Sequence, residues 1–281
     1  MIELEDVPEL VDPVVVAAFE GWNDAATAAT GVVEHLGESW DANQMAEFDP
    51  EKYYDFQVAR PLIEMTDGLT RKLTWPTTRV SIARPAGLGR DVVLVRGIEP
   101  NMRWRTFCDE LLGVARDVGA QRVVLLAALL ADVPHTRPVP VTAATSDEGL
   151  ARELSLEPSR YEGPTGIVGV LQEACTQAEL RTVSLWAAIP HYVAQPPCPK
   201  ATLALLRRIE DVLDITLPID DLPDQARAWE HGVDELASQD TEVAEYVRAL
   251  ERQKDETELP EASGEAIAKE FERYLRRRRS D

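Results

Sequence analysis

The sequence predicts a three-layer α/β/α domain with a mostly parallel sheet, followed by a smaller all-helical module. Three observations lead there. Short β-branched apolar runs alternate with amphipathic stretches of helix length. The strand-like runs are apolar at consecutive positions, as in strands covered on both faces. Beyond Asp221 no strand pattern survives. Strands alternating with helices imply right-handed β-α-β crossovers and therefore parallel pairing. The predicted division is an α/β core over residues 1–219 and a helical module over 220–281.

Pro13 to Phe19 (PVVVAAF) reads as the first strand, ending at Glu20-Gly21-Trp22 before a cap-like Asn23-Asp24 and a helix over Ala25 to Leu36. Leu69 to Trp75 and Arg79 to Arg84, separated by Pro76-Thr77-Thr78, predict an antiparallel hairpin. Asp91 to Arg96 is a strand, Gly97 to Asn101 a turn, and Met102 to Val118 a helix with Trp104, Phe107, Leu111, Leu112 and Ala115 on one face. Gln121 to Ala131 is the next strand, before the proline-punctuated loop Val133 to Pro140. Thr165 to Glu179 reads as a helix, Arg181 to Ile189 as a strand, Pro190 to Pro199 as a loop and Lys200 to Leu213 as a helix. In the module, Leu222, Ala226, Trp229, Val233 and Leu236 make one helical stripe, and Val243, Tyr246, Val247 and Leu250 a second. A break over Glu256 to Gly264 precedes a last helix carrying Ile267, Phe271 and Leu275.

The 281 residues include 29 Lys+Arg against 50 Asp+Glu, a formal charge of -21, with 44% hydrophobic residues. That composition is globular, and its negative field disfavours nucleic acid and anionic membrane surfaces as partners. The acidity is segregated. Residues 1–60 hold 14 acids and 2 bases, residues 61–219 hold 18 and 17, and residues 220–265 hold 15 and 4. The acidic surfaces are expected to be separate from any site in the neutral middle. An acidic start, Met1 to Asp6, and a longest apolar run of only Val123 to Ala131 predict neither export nor a membrane span. Cys108, Cys175 and Cys198 are odd in number and form no C-x-x-C pair, which fits a reducing cytoplasm.

Unusual polar and aromatic residues follow the predicted strands: Glu20, Trp22 and Asp24; Glu99, Asn101 and Trp104; His135, Thr136 and Arg137; His191 and Tyr192. In a parallel sheet these loops share the carboxyl edge, where open α/β sheets place ligand crevices. Glu20, Glu99, His135 and His191 are residue types that serve as metal ligands or general bases. Their spacing matches no H-E-x-x-H or i, i+4 histidine pair, so no metal is expected. No G-x-S-x-G elbow or phosphate-cradling glycine loop is present, and no cofactor is expected. Tyr53, Tyr54, Asp55, Phe56 and Arg60 form an aromatic-charged cluster in which Arg60 can pair with Asp55 or with an acid of another subunit. Arg276 to Arg279 close the last helix, where positive charge complements the dipole.

At these loops the chain resembles the proteasome assembly chaperone family in its actinobacterial form. The matching stretches are Phe19-Glu-Gly-Trp-Asn-Asp24, Tyr53-Tyr-Asp-Phe56 with Arg60-Pro61, Gly97-Ile-Glu-Pro100 with Trp104, Val133-Pro-His-Thr-Arg-Pro138, Tyr161-Glu-Gly-Pro-Thr-Gly166, Ser184-Leu-Trp186 with Pro190-His-Tyr192, and Pro199-Lys-Ala201. The resemblance implies a fold like that of nucleoside phosphorylases, used to bind protein partners such as proteasome subunits rather than to catalyse. It also implies homo- or hetero-oligomers, with a homo-oligomer, and a trimer among these, favoured. Glu20, Trp22, Asp24, Tyr54, Arg60, Glu99, Trp104, His135, Thr136, Arg137, Trp186, His191 and Tyr192 are the candidate edge-site or interface residues, none of them assigned a catalytic role. Relatives that dock between proteasome α-subunits often end in a hydrophobic residue, tyrosine and any residue. This chain ends Arg279-Ser280-Asp281, so docking by that tail is not expected. The expectation is therefore a non-enzymatic assembly chaperone or adaptor. The alternative is a hydrolase or transferase acting on a small nucleoside-like or polar metabolite at the carboxyl-edge loops.

Overall fold

The computed structural model describes residues 9–258 except 67, 69 and 157–160. Strand β1 (Val14–Glu20) runs through the middle of the sheet, between β6 (Val92–Ile98) and β7 (Arg122–Ala131), both parallel to it. Strand β9 (Arg181–Pro190) extends this parallel block beyond β7. The edges are antiparallel: β5 (Thr78–Ala83) on β6, β2 (Asn43–Glu47) on β5, and β8 (Val141–Ala144) on β9. The resulting seven-stranded order is β2-β5-β6-β1-β7-β9-β8.

Side chains alternate across a strand, so the unbroken apolar run of β1 feeds two cores at once. Val14, Val16 and Ala18 pack under α1 (Ala28–Ser39) and α6 (Pro199–Leu213). Val15, Ala17 and Phe19 pack under α3 (Trp104–Asp117) and α5 (Ile167–Gln177). The predicted three layers are present. On the second face Phe107 meets Phe48 and Tyr53 at ring-centroid distances of 4.7 and 5.3 Å, which anchors the short helix α2 (Pro50–Tyr53). Helix α4 (Glu148–Glu153) starts where the Asp147 carboxylate accepts the Leu150 N–H, and buries Leu150 in the first core.

The predicted hairpin needs correction. Strand β4 (Thr70–Thr74) does not pair with the strand after Pro76; it pairs with β3 (Leu62–Thr66) in a separate two-stranded sheet, with Ile63 opposite Leu73. The strand after Pro76 is β5, which joins the main sheet instead. Strands β2, β3 and β8 are absent from the sequence prediction. β2 (NQMAE) is largely polar, and β8 (VTAA) has only four residues, so neither has a double-sided apolar pattern.

Both helical stripes of the C-terminal quarter form helices, α7 (Leu222–Ser238) and α8 (Thr241–Glu258). Leu222 and Ala226 of α7 complete the first core beside α6, and Trp229 packs against it. Helix α8 buries Val247 and Leu250. The predicted last helix with Ile267, Phe271 and Leu275, and the arginines 276–279, lie outside the described residues.

Candidate functional site

The loops at the carboxyl ends of β1, β6, β7 and β9 carry most of the candidate residues, and the structure divides them into three groups. The first closes helix N-termini. Ala26 and Thr27, between β1 and α1, both have left-handed backbone, with φ of 51° and 52°. Asp24 holds this turn: its Oδ1 accepts the Ala29 N–H at 2.7 Å, and its Oδ2 accepts from the Thr30 hydroxyl and N–H. Asp24 is buried, and desolvation raises its carboxyl above the ordinary value although these hydrogen bonds oppose the shift. Glu99 does the same for α5. Its Oε1 accepts the Ile167 N–H and the Asn23 Nδ2–H, each at 2.8 Å. Gly166 leaves the space: a Cβ there would lie 2.1 Å from Asn23 Nδ2 and 2.6 Å from Glu99 Oε1. Three loops distant in sequence are thus tied through one carboxylate.

The second group, His135, Thr136, Arg137, His191 and Tyr192, holds the helical module. His135 is 2% exposed. The Tyr192 hydroxyl lies 2.8 Å from both the His135 backbone nitrogen and Nδ1, and His135 Nε2 lies 3.0 Å from Asp234 Oδ1 on α7. A proton on Nε2 satisfies every group: Nε2–H donates to Asp234, Nδ1 accepts from Tyr192, and Tyr192 accepts from the His135 N–H. Burial pushes the Tyr192 phenol up to about 12. Lys200 on α6 donates to the His135 carbonyl and to Glu230 of α7. Thr136 donates to Glu251 Oε1 at 2.5 Å, and Arg137 grips both Asp255 oxygens at 2.8 Å and Glu251 at 3.3 Å. Asp132 accepts from Tyr246 of α8 at 3.0 Å and lies 3.2 Å from His191 Nδ1. The rings of His191, Tyr192 and Tyr246 pack edge to face, with centroids 5.4 to 6.1 Å apart.

This arrangement overturns the expected separation of the acidic module from the edge loops. Glu230, Asp234, Glu251 and Asp255 are the partners of the basic and hydroxyl side chains in those loops. His135 itself spans a tyrosine and a carboxylate of the module.

The third group lies toward the β5 side of the sheet. The buried Tyr54 hydroxyl lies 2.9 Å from Thr78 Oγ1 and donates to the Ile98 carbonyl at 2.8 Å. Burial raises its phenol to about 12. Gly97 permits this approach of β5 and β6, because a Cβ there would sit 2.2 Å from Thr78 Oγ1 and 2.5 Å from Thr78 Cα. Glu20, at the end of β1, reaches Arg96 at 3.4 Å, and Arg96 also reaches Glu34 at 3.0 Å. Glu20, Arg96 and the exposed Arg60 line a cleft of about 640 Å³. Arg60 makes no ion pair with Asp55 among the described residues; Asp55 Oδ1 instead accepts the Gln57 N–H. Trp104 is half-buried and donates its indole N–H to the Pro100 carbonyl. Trp186 sits in mid-strand on β9, opposite Thr142 of β8, with its indole N–H on Ser184, and is not brought to the edge. Trp22 stands out from the edge, 66% exposed.

Most edge side chains are therefore engaged in joining one element to another. The three thiols are buried, and burial pushes Cys108 to about 12 and Cys198 to about 11, so neither forms a thiolate at neutral pH. Among the described residues no group of three His, Cys, Asp or Glu side chains is placed to hold a metal ion, and no helix is long and apolar enough to cross a membrane. Sequence reasoning passed over Asn23, Lys200, Arg96, Asp132 and the acids of α7 and α8 as site residues. For α8 a signal existed: Glu251 and Asp255 are four apart, on one helix face, in a helix with few apolar residues.

No curated protein matches. The structure of a PAC2 family protein from Streptomyces avermitilis is 61% identical, covers 84% of this chain and 100% of its own, and superposes with a TM-score of 0.79. A proteasome-assembly chaperone homologue from Mycobacterium tuberculosis is 59% identical over 83% of this chain and 99% of its own, with a TM-score of 0.77. An archaeal proteasome activator from Pyrococcus furiosus shares the fold at 16% identity, covering 84% of this chain and 98% of its own with a TM-score of 0.65. The PAC2 family model matches residues 18–237, a span that holds β1 to α7 apart from the first strand residues and the last helix residue, and the chain belongs to the PAC2 family.

Proposed function

We propose that this protein is a non-enzymatic assembly chaperone or adaptor that binds protein partners, with proteasome subunits as the partner class. In this reading it works in the cytoplasm as a homo-oligomer, a trimer being the favoured stoichiometry. The observation that carries the reading is the 59% identity, over 83% of this chain and 99% of the other, to a protein described as a proteasome-assembly chaperone homologue. The edge chemistry supports it. Asp24 and Glu99 are occupied by helix N–H groups, and His135 and Tyr192 by each other and α7, so these residues act as ties between elements. The exposed Trp22 and Arg60 remain available on the surface for contact. Residues 1–219 form the body in this reading, and 220–281 a module whose acids partly neutralise its basic loops.

The test is co-expression with individual proteasome α- and β-subunits from the same organism, followed by affinity capture and mass analysis. A stoichiometric complex with an unassembled subunit is expected, and it should weaken when Trp22 is replaced by Ala. Recovery of the protein without any subunit, under conditions where the subunits themselves are soluble, overturns the proposal.

A further inference from the structure

The hairpin β3–β4 takes no part in the ties of the carboxyl edge, and the cleft beside it meets them only through Glu20, Glu34 and Arg96. Register fixes the two faces of the hairpin. Leu62 stands opposite Thr74, and both line the mouth of the cleft, Leu62 being 62% exposed there. Ile63 opposite Leu73, and Met65 opposite Arg71, belong to the other face. Ile63, Met65 and Leu73 are 62%, 57% and 47% exposed. A two-stranded hairpin is marginally stable by itself in water, and an exposed apolar patch rimmed by charge marks an interaction surface.

The cleft offers the matching chemistry. It lies between the hairpin base, α1 and the face of β5 and β6, with Val33 and Leu94 among its apolar lining; Glu34, Glu38 and Asp41 line it on the α1 side, and Arg60, Arg79 and Arg96 line it elsewhere. Glu34 is paired with Arg96. Among the described residues Glu38 and Asp41 have no ion-pair partner, nor does Arg60 in the same cleft, and the same holds for Glu64, Arg71 and Lys72 on the hairpin. Arg71 thus stands on the Ile63–Leu73 face of the hairpin, with Lys72 opposite Glu64 on the other face, and two unpaired carboxylates stand on the rim of the cleft of the same chain.

We propose that the β3–β4 hairpin of one copy seats its Ile63, Met65 and Leu73 face in this cleft of a second copy, with Arg71 against Glu38 and Asp41. The contact joins two different surfaces, so it is heterologous, and repeated contacts of this kind close into a ring when the rotation permits. The proposal rests on the homo-oligomer reading above and names the surfaces that make it.

The experiment measures the mass of the full chain by light scattering across a concentration series. Circular dichroism monitors the fold, which exposed positions should leave intact. Wild type is expected to be oligomeric. The double variant Ile63→Asp with Leu73→Asp should be a folded monomer. Glu38→Arg and Arg71→Glu should each weaken association by about tenfold or more, and combining them should restore it. A wild-type oligomer whose mass survives all these variants overturns the hairpin contact and leaves the oligomer reading standing. A wild type that is monomeric at every concentration overturns both. Loss of subunit capture by the double variant of such a monomer would assign the patch to a foreign partner, and so overturn the second-copy proposal.

Discussion

Replacing His135 with Ala separates a structural tie from a chemical group. The imidazole is almost completely buried, and it makes two side-chain hydrogen bonds, to Tyr192 at 2.8 Å and to Asp234 at 3.0 Å. A neutral hydrogen bond contributes about 1 kcal/mol net and one to a charged acceptor about 1.5 to 3. Asp234 is 54% exposed and regains water when released, so the lower end of that range applies. Tyr192 keeps the His135 backbone N–H but loses its acceptor. The sum is a loss of about 2 to 3 kcal/mol, which for a chain of this size lowers Tm by roughly 4 to 12 °C. Hydrogen exchange followed by mass spectrometry should localise the effect, with α7 and α8 amides exchanging faster while β1 and β7 stay protected. An unchanged Tm and unchanged exchange in α7 and α8 would refute the account of His135 as the tie between edge loop and module.

Other outcomes follow from the same geometry. Gly97→Ala should destabilise by about 1 to 3 kcal/mol or more in denaturant titration, because the new methyl meets the Thr78 backbone; an unaltered midpoint would contradict the close approach of β5 and β6. Arg137→Ala should raise hydrogen exchange in α8, and high salt should act on wild type in the same direction, since the lost contacts are largely exposed ion pairs. The hydrogen bonds from Arg137 hold the Asp255 carboxyl below its ordinary value. A depressed folded value adds stability that is complete above the ordinary Asp pKa of about 3.9 and is lost as pH falls through the folded value. Docking of α8 should therefore hold at neutral pH and loosen in acid, and Arg137→Ala should flatten that acid limb in an exchange-versus-pH series. Trp22→Ala should leave unfolding stability within about 0.5 kcal/mol of wild type, as for other surface changes, while reducing subunit capture; a large loss of stability would show that Trp22 serves the fold.

What the sequence made legible follows from how local each determinant is. The β1 run announced a strand buried on both faces because every one of its residues enters a core, and the helix stripes of α3, α6 and α7 were visible for the same reason. Pairing partners were not visible. β4 and β5 are separated by a Pro-Thr-Thr turn signal, yet β4 turns back to β3 while β5 enters the main sheet, and that choice depends on residues 62–66 and on Gly97 of β6. The candidate residues were found largely because they sit after strands, but their roles depend on long-range contacts. Glu99 closes a helix that begins 68 residues later, and Arg137 meets acids 114 and 118 residues away. Segment charge sums located the acidic helices and the neutral body; they carried no information on the opposing charges meeting face to face.

The most direct measurement of the central claim is the rate at which separated proteasome α- and β-subunits assemble with and without this protein, followed by native mass spectrometry. The account predicts a transient complex of the protein with a single subunit type, a changed yield or rate of assembled particles, and release of the protein on completion. Identical assembly kinetics, with no complex at any point of the time course, would contradict it.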